Sequence, residues 1–588
     1  MIVAMKKATV VVQSKDAETT LKSLRQLGVL HVECQAVADG DEVSKLKHKM
    51  TRIVESIAAL ADIKYQRSLE GQEEEISKDI LVRLEEKEIL EEQIKKRQKD
   101  IDYWQDWGDF DPKIMEEFKK KNLWVKLARI YSKEKKQIPQ GIAVETLFKK
   151  GGVLYCVLIC RDDKKLPFDV LEPPKISLNS MLKEQEIQQK RIHDLEKQIT
   201  GYAKYKKALF GYFERLKSVL EFQEVWASMG KDELLSYLRG YIPHNLVSLL
   251  EKRAKREQWG LLIEEPNPED NPPTLIKNPQ WIEMIKPVFD MIKALPGYKE
   301  LDISLWFLLF FSIFFGMLIG DFGYGAIVFG INFYVHRKLK NRIEGQSIFY
   351  LTYILGVCAM VWGLLTGTFF GQDWLPAWFK PLMPSLTESK NAQALCFLIG
   401  AIHLSIAHLW RGIIKFPHLK ALSEIGWICL LWGGFFLARF LILGETFPNF
   451  AKWFFIVGAS LIVLFAIPVK NPLKSVGFGA RELLLNAVNS FTDIVSYIRL
   501  FAVGTATVAV ADAFNQMAVS IEGGFFGGLV TVLVLIFGHT LNMLLGAMSV
   551  LVHGVRLNLL EFSSHLNMEW AGVPYQPFQV KSTLMERK

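Results

Sequence analysis

The sequence predicts two unlike architectures in one chain. N-terminal cytosolic α/β lobes bridged by a long antiparallel coiled coil come first. An all-α membrane domain of eight transmembrane helices follows, the last two long and tilted. Three observations carry this. Of the 588 residues, those before about 300 are rich in Lys, Glu, Asp, Arg and Gln, whereas 301–560 is dominated by Leu, Phe, Ile, Val, Gly and Ala. Two stretches of the polar half repeat apolar residues at spacings of three and four. The apolar half repeats segments long enough to cross a bilayer. Such a chain is too long for one compact domain. We divide it into a cytosolic rod (1–263), a linker leading into the membrane (264–300) and a membrane domain (301–588).

The opening stretch reads as strand, helix, strand: Ala8–Val12 is β-prone, Asp16–Leu27 is helical, and Gly28 closes that helix before Val29–Val32. Val43, Leu46, Met50, Ile53, Ile57 and Leu60 then follow heptad spacing, continued more weakly through Ile80, Leu84, Leu90, Ile94, Ile101 and Trp104. A second seam runs through Ile192, Leu195, Ile199, Tyr202, Leu209, Phe213, Leu216 and Leu220. Between them, about 110–175, lies a mixed segment with a predicted strand at 152–159. The simplest arrangement is a hairpin of two long helices with an α/β lobe at its far end. Residues near 221–262 join the first lobe at the other end. A helix of roughly 60 residues extends on the order of 90 Å. Such a rod suits a strut, and a coiled coil that merely dimerises the chain fits the periodicity equally well. The turn-rich segment from Glu264 to Pro273 is the clearest boundary.

Spans are expected near 303–320, 322–336, 347–369, 393–410, 422–443, 451–468, 482–519 and 524–562, the first two joined by the tight 320–325 turn. Loop charge orients them. Arg337, Lys338, Lys340, Arg342, Arg411, Lys415, Lys420, Lys470, Lys474 and Arg481 fall on one side, with Lys581, Arg587 and Lys588 in the tail. Only Lys380, Lys390 and Lys452 fall on the other. Both termini are therefore expected in the cytosol, and the first residues lack a secretory signal. A net charge of +8 does not imply nucleic acid, because the basic residues interleave with acids or flank spans. The six cysteines are scattered, and Cys156 and Cys160 sit in a predicted strand with no second ligand pair, so reduced structural thiols are expected. No GxxxxGK[ST] phosphate loop occurs. Nucleotide chemistry, where present, belongs to another polypeptide.

The last two spans carry polar faces. Asn489, Thr492, Ser496, Arg499, Val503 and Thr507 share one face of the seventh by helical spacing, and Asn542, Gly546, Ser549, His553 and Arg556 share one face of the eighth, with His539 a turn earlier. An arginine inside hydrocarbon costs about 3 kcal/mol or more without a partner. Arg499 lies deep in its span, no acid on the other spans is an obvious partner, and Asp493 is on another face. The missing carboxylate is therefore expected on a partner protein. Held neutral by a proton or Na⁺, that carboxylate could face lipid. On meeting Arg499 it would release its ion. The bland alternatives stay open. Arg499 could be a bundle-internal or snorkelling arginine, Arg556 a cation at the cytosolic end, and His539 and His553 partners of neighbouring helices. The amide and hydroxyl groups could be helix–helix glue. Asp321 reads as a capping residue, and His403 and His408 as interhelical partners.

The stretch 496–502, Ser-Tyr-Ile-Arg-Leu-Phe-Ala, resembles the seventh-span signature of subunit a, or subunit I, of V-type and A-type rotary ATPases. Residues 314–325 resemble that family's first hairpin, 367–371 the end of its third span, and 553–557 with Tyr575-Gln576-Pro577-Phe578 its last span and tail. With Pro272-Pro273-Thr274 the resemblance covers nearly the whole chain. It implies that Arg499 is the essential arginine facing a ring of c (or K) subunits and Arg556 the second arginine. Asn489, Ser549 and His553 would fall in half-channels, and Thr492, Ser496, Thr507, His539, Asn542 and Glu561 complete the candidate set. The implied partners are that ring, peripheral-stalk E/G-type subunits, a central-stalk d/C-type subunit, indirectly a V1 or A1 head, and membrane lipid. No cofactor, metal or nucleotide site is implied, and the subunit would not itself be an enzyme. Departures are a looser 294–304 stretch, Gly546 where many eukaryotic members have glutamate, and Thr507 where some have histidine. The short soluble half suggests the plasma membrane of a bacterium or archaeon. The competing classes are a secondary transporter, which would need an internal carboxylate pair and usually an inverted repeat, and a polytopic membrane scaffold.

Overall fold

A computed structural model of the chain describes residues 1–580 except 34–40, 61–71, 132–140, 163–168, 233, 341–344, 373–379, 466–471 and 522–523. Arg342, Lys470, Lys581, Arg587 and Lys588, used above for orientation, lie outside the described residues. The chain divides into two compact units. One comprises residues 1–11, 29–32 and 239–578, the other 12–28, 33–238 and 579–588. Nine strands form among the described residues. They are β1 (Met5–Gln13), β2 (His31–Val32), β3 (Trp124–Tyr131), β4 (Ala143–Lys150), β5 (Val153–Cys160), β6 (Asp169–Leu171), β7 (Gly230–Asp232), β8 (Leu235–Pro243) and β9 (Gly260–Glu264).

In the second unit an antiparallel sheet of order β4-β5-β3-β6 buries Ala128, Ile130, Cys156 and Leu158 on one face. Cys156 and Cys160 are both buried on β5, the strand expected there, and neither forms a disulfide. The helices are α1 (Ala17–Leu27), α2 (Asp41–Ala59), α3 (Glu73–Trp104), α4 (Pro112–Lys120), α5 (Leu178–Gly201) and α6 (Lys206–Ser228). Gly28 ends α1 at φ +63°, the left-handed conformation that glycine adopts without a Cβ penalty. α3 runs antiparallel to α5. Lys87 meets Glu196 at 2.8 Å, Arg191 Nε meets Glu86 at 2.7 Å, and Arg97 pairs with Glu184. α2 packs on α6. Ile53, Leu60, Ile80, Ile199, Leu209 and Leu216 form their shared core, so the heptad positions of both seams do face one another. The helices are shorter than the roughly 60 residues expected from periodicity. A 3₁₀ turn at Tyr202–Tyr205, directly after Gly201, separates α5 from α6. Glycine is a weak helix former there, and the seam steps across the turn.

The other unit begins with antiparallel pairs, Lys7–Val11 against Gly260–Glu264 and His31–Val32 against Gly240–Tyr241. α7 (Val247–Glu257) and the short α8 (Gln280–Glu283) and α9 (Lys286–Ile292) lead to the apolar helices. These are α10 (Ser304–Ile319), α11 (Phe322–Leu339), α12 (Ser347–Thr366), α13 (Ser389–Lys415), α14 (Ala421–Leu443), α15 (Ala451–Phe465), α16 (Pro472–Ser496), α17 (Ile498–Val519) and α18 (Gly524–Ser549), before a final turn α19 (Ser563–His565). Among the described residues five helical segments are long and apolar enough to cross a membrane: 347–366, 389–415, 421–443, 476–519 and 524–565. Ser304–Ile319 and Ala451–Phe465 are apolar but shorter. One core, from Phe307 and Phe314 through Phe397 and Leu404 to Tyr497 and Phe562, runs through the bundle. Its helices approach closely at glycines. A Cβ on Gly504 would lie 2.5 Å from the Met317 carbonyl oxygen, so only hydrogen fits where α17 crosses α10.

The tail segment 575–578 covers the edge left by β2. Tyr575 donates its hydroxyl to the Val29 carbonyl, Gln576 N–H donates to His31 Nδ1 at 3.0 Å, and Phe578 N–H donates to the Leu30 carbonyl at 2.8 Å. Burial holds the His31 imidazole below its ordinary range, partly offset by the nearby Gln576 carbonyl.

Candidate functional site

The helix carrying Arg499 is interrupted just before it. Tyr497 falls between α16 and α17, fully buried, with its hydroxyl 2.8 Å from His403 Nδ1 of α13. Its ring sits against Gly400, where a Cβ would come within 2.7 Å of it. The buried Tyr497 and Leu500 bracket Arg499, anchoring the backbone while its side chain keeps about a quarter of its surface exposed (24%).

One expectation is overturned here: Arg499 does have a carboxylate partner in its own chain. Its Nη2 donates to Glu561 Oε1 at 3.0 Å, and Arg556 Nε lies 3.7 Å from the same oxygen. Glu561 is buried (4% exposed) and Arg556 is half exposed. The reason lies in the helix. After α18 the chain winds as π-helical turns at Val550–Gly554 and Leu557–Phe562. On an α-helix Arg556 and Glu561, five residues apart, would point about 140° from one another. The wider π turn, bonded i to i+5, brings them onto one side. Glu561 was already among the candidates, but spacing alone gave no reason to pair it with Arg499. Among the described residues, Arg499 Nη1 and Glu561 Oε2 are buried without a hydrogen-bond partner. The pair is thus half satisfied, and each side keeps one polar atom for another group.

Two cavities lie on either side of Arg499 along the chain, and of the remaining candidates Asn489 lines the first. A cavity of about 310 Å³ is lined by Glu482, Asn486, Asn489, Ser490 and Asp493 of α16, by His408 and Arg411 of α13, and by Ser564, His565 and Asn567. On the other side a cavity of about 510 Å³ is lined mainly by apolar side chains, among them Met317, Trp362, Leu500, Phe501 and Val508, with Thr366, Thr368, Gln372, Thr505 and Asp512 as polar groups. Behind α17 a buried network forms. Asn542 donates to the Tyr324 hydroxyl (3.0 Å) and to the Thr507 carbonyl (2.8 Å), while His539 reaches Tyr324 at 2.7 Å and Asn515 at 3.2 Å. Thr507, Asn542 and His539 are therefore brought together, and Asn489 lines the first cavity. Thr492 is exposed and bonds within its own helix, to the Val488 carbonyl. Ser496, Ser549 and His553 are half-buried.

Asp321 caps α11 by accepting from Tyr324 N–H at 3.1 Å and also receives Gly371 N–H at 3.2 Å, which holds the hairpin that presents Tyr324. Tyr324, Asn515, Asp512 and Glu424 were missed as site residues. The signal for Glu424 was available, because it is the one acid in an apolar span, 421–443. Tyr324 carried no signal beyond its place in a tight turn.

Fold and site together define a bundle of apolar helices, five of them long enough among the described residues to cross a membrane, that holds an arginine–carboxylate pair in its last helices. Comparison with known proteins gives the class, a membrane subunit of a rotary ATPase. The chain is 32% identical over 614 residues to V-type ATP synthase subunit I of Borreliella burgdorferi, covering 98% of this chain and 99% of that one. It is 29% identical to V-type ATP synthase subunit I 1 of Treponema pallidum (98% and 100% covered). To A-type ATP synthase subunit I of Methanocaldococcus jannaschii it is 25% identical, covering 70% of this chain and 65% of that one. No family model matches the chain. The chain belongs to the subunit I family of V-type and A-type ATP synthases.

Proposed function

We propose that the chain is the non-catalytic stator subunit that carries H⁺ or Na⁺ past a rotating c/K-type ring, with Arg499 as the gate. One observation carries this: Arg499, tied to a buried in-chain carboxylate, falls along the chain between the α16 residues that line one cavity and the α17 residues that line another, and the two cavities share no residues. Each cavity would serve as a half-channel open to one side. A ring carboxylate arriving neutral, with its ion, would meet a guanidinium that still has Nη1 to offer. Positive charge at a few ångströms favours the ionised acid, so the ion leaves into one half-channel. The bare acid pairs with Arg499 until rotation moves it to the other, where a new ion neutralises it. Glu561 keeps the arginine from standing as an uncompensated buried charge between encounters. Arg556 shares Glu561, and Asn489, Thr492, Ser496, Thr507, His539, Asn542, Ser549 and His553 line or support the paths.

In this reading the apolar helices make eight spans, the last two tilted, with both termini cytoplasmic, in the plasma membrane of a bacterium or archaeon. The paired helices of residues 1–263 act as a coiled-coil strut that grips the peripheral stalks of E/G type and approaches a central-stalk d/C-type subunit. The linker of 264–300 joins that strut to the 301–588 domain. ATP chemistry stays on a V1 or A1 head.

The test is ATP-driven ion uptake into vesicles holding the assembled complex, comparing wild type with Arg499→Ala and Arg499→Lys. Both variants are expected to lose transport with assembly intact. Near-normal transport in Arg499→Ala would sink the gate and leave a scaffold.

A further inference from the structure

Beside the first cavity lies a row of titratable groups that the gate does not use. Glu424 of α14, almost fully buried, has Oε2 2.7 Å from His408 Nδ1 of α13. His408 Nε2 lies 2.8 Å from His565 Nδ1, and His565 Nε2 lies 3.1 Å from Asp493 Oδ2 of α16. Four side chains from four elements thus join end to end, and His408, His565 and Asp493 border the cavity that also holds Asn486 and Asn489, with Glu424 set behind them. The charged neighbours are few. Arg411 Nη2 is 3.3 Å from Glu424 while its Nη1 donates to the His565 carbonyl at 2.8 Å. Lys415 pairs with Glu424, Glu482 lines the cavity, and Trp427 stacks on His408.

Counting protons gives the row its meaning. Three hydrogen bonds need three protons. Two ionised carboxylates and two neutral imidazoles supply two, one per ring. The fully bonded row therefore holds one proton more than its groups carry in their ordinary neutral-pH forms. That proton can sit on Glu424, on the imidazole pair or on Asp493. Moving each link proton across its own bond carries the excess from one end to the other. Glu424 gives a proton to His408 Nδ1, His408 Nε2 gives one to His565 Nδ1, and His565 Nε2 gives one to Asp493. No proton is created or lost, and the tautomers reset as the rings turn before the next pass. Groups touching at 2.7–3.1 Å leave no lumen for a metal cation.

We propose that Glu424, His408, His565 and Asp493 form a proton relay feeding the cavity beside Arg499, and hence that the ion moved on this side is H⁺. This rests on the reading of that cavity as a half-channel. Lys415 and Arg411, at the basic ends of the helices, place Glu424 toward the cytosolic side in that reading.

The experiment uses the assembled complex in vesicles and follows ATP-driven acidification. His408→Gln, His565→Gln and Glu424→Gln, which keep polar contact but cannot relay, are expected to slow uptake on the order of tenfold. Imidazole added to the buffer should restore part of the rate in His565→Gln, whose missing ring borders the cavity, and none in Arg499→Ala. A structural role alone would give no such rescue. Wild-type rates in His408→Gln and His565→Gln, with Arg499→Ala still inactive, would overturn the relay and leave the gate standing. Where the variants fail to assemble, the unaltered complex still decides. Uptake that requires Na⁺, or that runs equally fast in D₂O and H₂O, overturns the relay; Na⁺-independent uptake slowed in D₂O supports it.

Discussion

The helix pairs of the two units are built by opposite means. α3 and α5 face each other with long charged side chains at their margins, such as Lys87 with Glu196 and Arg191 with Glu86, all partly exposed. The apolar helices meet instead at bare backbone: a Cβ on Gly363 of α12 would lie 2.1 Å from Phe322 N, and one on Gly316 of α10 2.8 Å from the Cys358 carbonyl oxygen. The difference follows from the solvent. In water, apolar side chains drive pairing and charges decorate it. Between lipid-facing helices that drive is absent, and close packing with a few buried polar bonds takes over. Substitutions at these contacts should therefore differ steeply in effect.

The largest effect is expected at Gly363. Its neighbours are the backbone of Phe322 and Asp321, fixed by the Asp321 cap, and cannot give way as a side-chain tip could. Gly363→Ala should cost about 3 kcal/mol, read as a lower thermal midpoint of the purified complex or as lost assembly. Gly330→Ala in α11, with nothing within 4 Å, is the control and should be neutral or slightly stabilising. Equal behaviour of the two would break the contrast.

Next comes the buried polar bond. Tyr497→Phe leaves the ring packing intact but removes the only hydrogen-bond partner of His403 among the described residues, whose Nε2 is already unpaired. A stranded buried imidazole should cost about 2 kcal/mol. Thermal unfolding that matches wild type would show that the bond contributes nothing there. The same substitution should lower transport as well, since Tyr497 sets the backbone from which Arg499 projects.

How much of this could be read from sequence differs in the same way between the two units. The seams of α2, α3, α5 and α6 were legible because heptad spacing reports directly which residues face inward, as Ile53, Ile199 and Leu216 do. The break at Tyr202–Tyr205 was not, since the apolar spacing carries across it. In the apolar unit nearly every residue is hydrophobic, so periodicity says little about facing. There the polar residues were the signal, and Arg499, Asn489, Thr507, His539 and Asn542 stood out for that reason. Pairings between them did not. Whether Glu561 reaches Arg499 depends on π turns that no spacing rule announces, and the Glu424–His408–His565–Asp493 row joins residues up to 157 positions apart.

A smaller, pH-dependent effect is expected where the tail covers β2. Because burial keeps His31 from protonating in the folded protein, its folded pKa lies below the unfolded value. Its contribution is therefore present above about pH 6.5 and is lost as pH falls through the lower folded value. Protonation would also remove the lone pair that receives Gln576 N–H. Protection factors of the amides in 575–578, measured against the intrinsic exchange rate at each pH, should be high at pH 7.5 and lower at pH 5.5, and His31→Gln should flatten the difference. Protection indifferent to pH in the unaltered protein would mean that Tyr575 and the Leu30–Phe578 bond hold the tail by themselves.

The smallest effect is expected between α3 and α5. The Lys87–Glu196 contact is close, 2.8 Å, but the side chains keep 26% and 49% of their surface in water. Water already solvates both charges, and ordering two long side chains offsets part of the attraction. Lys87→Ala should therefore cost about 0.5 kcal/mol at low salt, and the difference should vanish near 1 M salt, where the screening length falls to about 3 Å. The alternative is that this pair fixes the helix register. In that case Lys87→Ala would lower stability well beyond that figure and the loss would persist in salt. Charge reversal at both positions, Lys87→Glu with Glu196→Lys, separates the two: it restores wild-type stability if the pair acts through charge alone, and fails if Lys87 also packs its methylene stem against α5.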